Sequence, residues 1–112
     1  MDINWEVAAE MFKNDGALLI DARSEVKFKQ KKVKGALSLP LDQFQEYFTN
    51  FEHYNRITPV IVYCDKQICG GSKQLAYKLV KKGFKNVYVI KGGIEELTKS
   101  NIVRRSENEN NK

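Results

Sequence analysis

Cysteine is scarce in this chain, and that scarcity excludes several classes of protein. Two cysteines in 112 residues cannot staple a small disulfide scaffold. Neither belongs to a closely spaced four-ligand cluster, so no structural zinc is expected, and no metal or cofactor is assigned. Histidine occurs once, as His53. It lies between Phe51 and Tyr54 ahead of a strand, where it implies no serine or cysteine triad, and it is given no role. No apolar stretch approaches the roughly 20 residues that a membrane-spanning helix needs. The opening residues Met1-Asp2-Ile3-Asn4-Trp5 lack the basic-then-apolar order of a signal peptide. A reducing, cytoplasmic setting follows as the default expectation, with both cysteines resting as thiols.

What the chain does have is enough apolar content, 42%, to bury a core at this length. One domain over residues 1–100 is expected, followed by a polar, disordered tail over 101–112. The net charge of +5 has two local sources. One is Lys27, Lys29, Lys31, Lys32 and Lys34; the other is Lys78, Lys81, Lys82 and Lys85. Both read first as solvated faces, and second as surfaces that steer an anionic substrate or acidic partner. No stacking pattern of aromatics accompanies them, so nucleic-acid binding is not expected.

Along the chain, Asn4 or Asp2 can cap a helix through about Phe12, with Trp5, Ala8, Ala9 and Phe12 on one face. Asn14-Asp15-Gly16 is a turn. Ala17 to Ile20 is a short buried strand ending at Asp21. Ser24 can cap a short helix, and Ala36 to Leu39 is a strand stopped by Pro40. Leu41, Phe44, Tyr47, Phe48 and Phe51 share one face of a helix over 41–51. Val60 to Tyr63 is β-branched and aromatic, as a buried parallel strand reads. Leu75, Ala76, Leu79 and Val80 have helical spacing up to Gly83. A strand over 86–90 and a short helix from Gly92-Gly93 to Leu97 close the pattern. Alternating strands and helices predict an α/β fold: a mostly parallel central sheet with helices on both faces. Active sites of such sheets lie beyond the strand C-termini, so Asp21, Pro40, Cys64 and Gly92 should gather on one edge.

Cys64 is the strongest functional candidate. It ends a strand and begins the loop Asp65-Lys66-Gln67-Ile68-Cys69-Gly70-Gly71, which opens a helix. Loop N–H groups and a helix N-terminus both favour an anion, hence thiolate over thiol. The competing account is an inert buried cysteine, which the strand-loop-helix placement disfavours. Gly70 and Gly71 read as positions of positive φ or close backbone approach. Lys66 is either solvated or a stabiliser of the thiolate. Cys69 is either a loop residue without a role or a resolving thiol that forms a disulfide with Cys64. A loop that turns its backbone inward is expected to aim Cys69 elsewhere.

Four segments, in order, resemble a single rhodanese domain. Leu18-Leu19-Ile20-Asp21-Ala22-Arg23 resembles the family's Asp-x-Arg strand end. Lys31-Lys32-Val33-Lys34-Gly35-Ala36 with Leu39-Pro40 resembles its Gly-His-Ile-x-Gly-Ala and following proline. Val62-Tyr63-Cys64 resembles the strand that delivers the catalytic cysteine. Gly83-Phe84-x-Asn86-Val87-Tyr88-Val89, with Gly92-Gly93-Ile94, resembles its closing segment. The resemblance implies a sulfurtransferase. Cys64 would take a sulfane sulfur from a small anionic donor such as thiosulfate, or from a persulfide, and pass it to a thiol, a protein acceptor or cyanide. A non-catalytic protein-binding module and a redox protein cycling a Cys64–Cys69 disulfide are the alternatives.

Departures from the family pattern bear on substrate more than on fold. The loop after Cys64 is longer than the commonest one, and the basic residue before Ser72 is missing. Lys32 stands at the usual histidine and Leu97 at the usual tryptophan. Family phosphatases carry Cys-x5-Arg, whose guanidinium grips phosphate; Gly70 occupies that position, which disfavours a phosphatase. Asp21 and Arg23 either form a surface ion pair of little worth or support the active-site loop. The family pattern favours support.

Overall fold

In the computed structural model, which describes residues 2–65, 70–90 and 92–94, five strands form one sheet. They are β1 (Asp2–Ile3), β2 (Leu18–Asp21), β3 (Leu37–Ser38), β4 (Val60–Tyr63) and β5 (Val87–Ile90). Their order is β1-β5-β4-β2-β3, and every pairing is parallel. Helices α1 (Trp5–Asn14), α2 (Glu25–Gln30), α3 (Phe44–Phe48) and α4 (Gly70–Lys81) connect them. The expected α/β architecture is therefore present.

Caps chosen from sequence are found in place. Asn4 Oδ1 accepts from the Val7 N–H at 2.9 Å, and Ser24 Oγ accepts from the Lys27 N–H at 3.3 Å, each satisfying a donor that the first helical turn leaves over. The helix expected over 41–51 is instead three pieces: 3₁₀ turns at Leu41–Gln43 and Thr49–Phe51 flank the short α3. Thr49 Oγ1 donates to the Glu46 carbonyl at 3.0 Å, a local bond that competes with continued helix. Strand β1 was not expected, because two residues carry no periodic pattern.

Central strand β4 is buried at all four positions. Its alternation divides the core. Val60 and Val62 join Ile20, Phe44, Phe48, Leu75, Leu79 and Phe84 on one face. Ile61 and Tyr63 join Trp5, Ala8, Leu19, Val33 and Ile90 on the other. Trp5 also donates from Nε1 to the Gly93 carbonyl at 2.7 Å, so the first helix holds the segment that follows β5. The helix expected to run from Gly92-Gly93 to Leu97 extends beyond the described residues, as does the polar tail.

Candidate active site

Cys64 follows the last residue of β4 and is only 7% exposed. Backbone hydrogen bonds tie its neighbourhood together. The Ala22 N–H donates to the Tyr63 carbonyl at 2.9 Å, the Leu39 N–H to Asp21 at 3.0 Å, and the Ile94 N–H to the Cys64 carbonyl at 2.9 Å. Asp21, the Leu39-Pro40 step, Cys64 and the Gly92–Ile94 segment thus meet at one edge of the sheet, as the strand ends imply. Cys64 is disulfide-bonded in this structure, whereas the sequence alone leads to thiols at rest. Lys66, Gln67, Ile68 and Cys69 lie outside the described residues.

Behind Cys64 sits a buried polar group. Asp21 is fully buried and Arg23 is 7% exposed. Arg23 Nε donates to Asp21 Oδ1 at 3.0 Å and Nη2 donates to Oδ2 at 2.8 Å. The Arg23 backbone N–H adds a bond to Oδ1 at 2.9 Å, and the Tyr63 hydroxyl donates to Oδ2 at 2.7 Å. Arg23 Nη2 also donates to the Lys31 carbonyl. A surface ion pair of Asp21 and Arg23 is thereby overturned: the pair is buried, bidentate and saturated with donors. Such a pair is weak evidence for stability but fixes geometry.

The titration of these groups follows from that packing. Burial raises the Tyr63 phenol above its ordinary value, and the Asp21 charge and hydrogen bond add to the rise. Burial pulls the Arg23 guanidinium down. The hydrogen bond and charge of Asp21, with smaller contributions from Tyr63 and Asp65, outweigh that pull and leave its pKa raised.

Asp65, the residue after Cys64, continues the network outward. Its Oδ1 lies 3.5 Å from Arg23 Nη1, and its Oδ2 accepts from Lys27 Nζ at 2.5 Å. Lys27 is a functional candidate that sequence reasoning placed in a solvated lysine run. The one hint was the acidic Asp65 beside the cysteine, which calls for a countercharge.

Gly70 and Gly71 form the first turn of α4. Neither is among the glycines with positive φ, which corrects the reading of them as left-handed positions. Among the described residues, a Cβ on Gly70 would meet Gln74 Nε2 at 3.8 Å. Ser72 is buried within that helix. Lys32, at the family's usual histidine, places Nζ 5.1 Å from the Phe28 ring centroid, and Leu97 lies outside the described residues. His53 is exposed and its ring centroid is 4.2 Å from that of Tyr54. Of the second lysine group, Lys78 and Lys81 lie on the exposed face of α4, where they line a hollow of about 380 Å³ with Lys73, Gln74 and Tyr77. Among the described residues, no group of three or more His, Cys, Asp or Glu could hold a metal ion. No helix among them is long and apolar enough to cross a membrane.

Residues 4–100 match the family of the rhodanese-like domain. The chain is 33% identical over 101 residues to a protein of Glaesserella parasuis named thiosulfate sulfurtransferase GlpE, covering 90% of this chain and 89% of that one. The protein of the same name from Coxiella burnetii is 34% identical over 88 residues, covering 79% and 78% of the two chains. Among solved structures, the rhodanese-like domain of an Anabaena protein superimposes with a TM-score of 0.76 at 16% identity, covering 93% of this chain and 76% of that one. That last likeness concerns the fold alone.

Proposed function

The chain belongs to the rhodanese-like domain family, and from that premise we propose that it is a sulfurtransferase that carries sulfur on Cys64. The Cys64 thiolate attacks the sulfane sulfur of thiosulfate. A new S–S bond forms, the sulfur–sulfur bond of thiosulfate breaks, and its electron pair leaves with sulfite. The enzyme then holds a Cys64 persulfide. A thiolate or cyanide attacks the outer sulfur, takes it away, and returns the electron pair to Cys64 as thiolate. No metal or cofactor is required, because the thiolate is both nucleophile and leaving group. A reducing compartment suits this cycle, since the disulfide at Cys64 must be open before attack. Residues 1–100, of which 4–100 match the family, are read as one catalytic domain, with 101–112 outside it.

One observation carries this reading: Cys64 lies at the C-terminal end of the central strand, its carbonyl held by Ile94, and α4 opens at Gly70, six residues on. The first turn of a helix has backbone N–H groups without intrahelical partners. Placed at such a turn, a thiolate or persulfide gains hydrogen bonds and a favourable dipole. Relatives named thiosulfate sulfurtransferase support the donor. The test is mass spectrometry of reduced protein after incubation with thiosulfate. A gain of one sulfur, about 32 Da, on the peptide bearing Cys64 is expected. No gain, or a gain elsewhere, overturns the reading.

The disulfide state of Cys64 favours one second reading, a redox protein. The chain's other cysteine is Cys69. On this reading mild peroxide converts Cys64 to a sulfenic acid, which Cys69 attacks with loss of water to give a disulfide. Mass mapping of peroxide-treated protein separates the two readings. A reversible loss of two hydrogens across a Cys64–Cys69 peptide supports the redox cycle; Cys64 sulfinate and sulfonate in its place end it.

A further inference from the structure

Asp65 is a hazard to the chemistry proposed for its neighbour. A bare carboxylate one residue from Cys64 opposes the thiolate and repels an incoming dianion. Its charge has to be met, and Arg23 is already committed: Nε and Nη2 hold Asp21, at 3.0 and 2.8 Å. Only Nη1 turns toward Asp65, at 3.5 Å. Lys27 Nζ stands closer, at 2.5 Å. Among the described residues, the two carboxylates Asp21 and Asp65 are thus matched by two cations, and Lys27 completes the balance.

We propose that Lys27 is a positioning residue of this site: with Arg23 it holds and neutralises the Asp65 carboxylate, so that an anionic sulfur donor can reach Cys64. The donor class rests on the sulfur-transfer reading above; the charge balance does not. Lys27 is well placed to act without serving the fold. Its side chain is 55% exposed, against 28% for Asp65. Its backbone N–H, which meets Ser24 Oγ, is untouched by a side-chain change. Thirty-eight residues of chain separate the pair, so the contact joins α2 to the start of the loop and is not a helix-surface pair.

The experiment compares two alkylating agents on the reduced full chain at one fixed pH. Iodoacetate is an anion and iodoacetamide is neutral, and both need the Cys64 thiolate. Their rate ratio at Cys64, followed by peptide mass mapping, therefore cancels changes in thiolate fraction and reads local charge. Lys27→Met is expected to lower the iodoacetate-to-iodoacetamide ratio about two- to fivefold at low salt, the size expected of a half-exposed charge pair. Adding Asp65→Asn to Lys27→Met restores the ratio. Asp65→Asn alone raises it above wild type, because the cations then stand unbalanced. A ratio unmoved by Lys27→Met overturns the proposal, as does a proportional loss with both reagents or a failure of Asp65→Asn to restore it. Thiosulfate kinetics form a separate arm: Lys27→Met raises KM with kcat largely kept. If wild type turns over no thiosulfate while the alkylation ratios move as stated, sulfur transfer fails and the charge balance stands.

Discussion

The Tyr63 hydroxyl donates to Asp21 Oδ2 at 2.7 Å, between residues directly paired across β4 and β2. This bond lies one residue before Cys64. It makes the last position of β4 part of the same polar group that holds Arg23, and through Arg23 it reaches Asp65. The strand that presents the cysteine and the ion pairs that hold the next residue are therefore one mechanical unit. Trp5, also buried, packs against Tyr63 with ring centroids 5.5 Å apart.

Removing that hydroxyl tests the unit. Tyr63→Phe keeps the ring and its packing but deletes a bond to a carboxylate. It also leaves the Val33 N–H, which reaches Tyr63 Oη at 3.4 Å, without its acceptor. A loss of about 1.5–3 kcal/mol is expected, as for a buried hydrogen bond to a charged group, measured by urea denaturation. A loss below about 0.5 kcal/mol would show that Arg23 alone satisfies Asp21.

The same residue gives a pH dependence. Burial first, then the Asp21 charge and hydrogen bond, raise the Tyr63 phenol above its ordinary value. The folded state therefore binds this proton more tightly than the unfolded state does. Its contribution is complete below the unfolded pKa and drains away as pH rises above it. Wild type should lose stability progressively above about pH 10, and Tyr63→Phe should lose less over the same interval. Denaturation midpoints at about pH 8 and about pH 11 give the comparison. Parallel losses in the two proteins would remove Tyr63 from the account.

Much of this was legible in the sequence because the signals are local. Asn4 or Asp2, and Ser24, declare helix starts, and the unbroken apolar run Val60 to Tyr63 declares a central parallel strand. From these the position of Cys64 follows. What was not legible depends on contacts distant in sequence. The family pattern favours a supporting role for Asp21 and Arg23, but that the pair is buried and bidentate shows only once the sheet closes over it. Lys27 looks like one of five lysines until the fold brings Asp65 beside it. The 3₁₀ turns around α3 were missed because aromatic spacing reports which face is buried, not how tightly the backbone is wound. The positive-φ reading of Gly70 and Gly71 fails because glycine permits positive φ without requiring it.

Gly35 offers a position where glycine is required. Its φ is +86°, and a Cβ there would lie 2.6 Å from Phe12 Cζ. Gly16 is also left-handed, at +68°, but its Cβ would meet nothing within 4 Å. The pair separates backbone strain from collision. Gly16→Ala should cost about 1 kcal/mol from strain alone. Gly35→Ala should cost clearly more, and replacing Phe12 by leucine in that background should recover part of the excess. Equal losses at the two positions would mean that the Phe12 ring moves aside freely.

The decisive substitution is Cys64→Ser. A serine hydroxyl is not appreciably ionised near neutral pH and cannot store a sulfane sulfur, so it neither attacks thiosulfate nor carries the product. The fold should survive. The Cys64 carbonyl keeps its bond from Ile94, and the side chain loses little volume. The proper reference is reduced wild type, because the substitution also removes the disulfide at this residue. Against that reference, a stability change under about 1 kcal/mol, with transfer from thiosulfate to cyanide reduced to background, is expected. The sulfur gain seen by mass spectrometry should vanish with it. Transfer retained by a folded Cys64→Ser protein would place the nucleophile elsewhere, and the strand-end cysteine would then be no more than a buried thiol at the sheet edge.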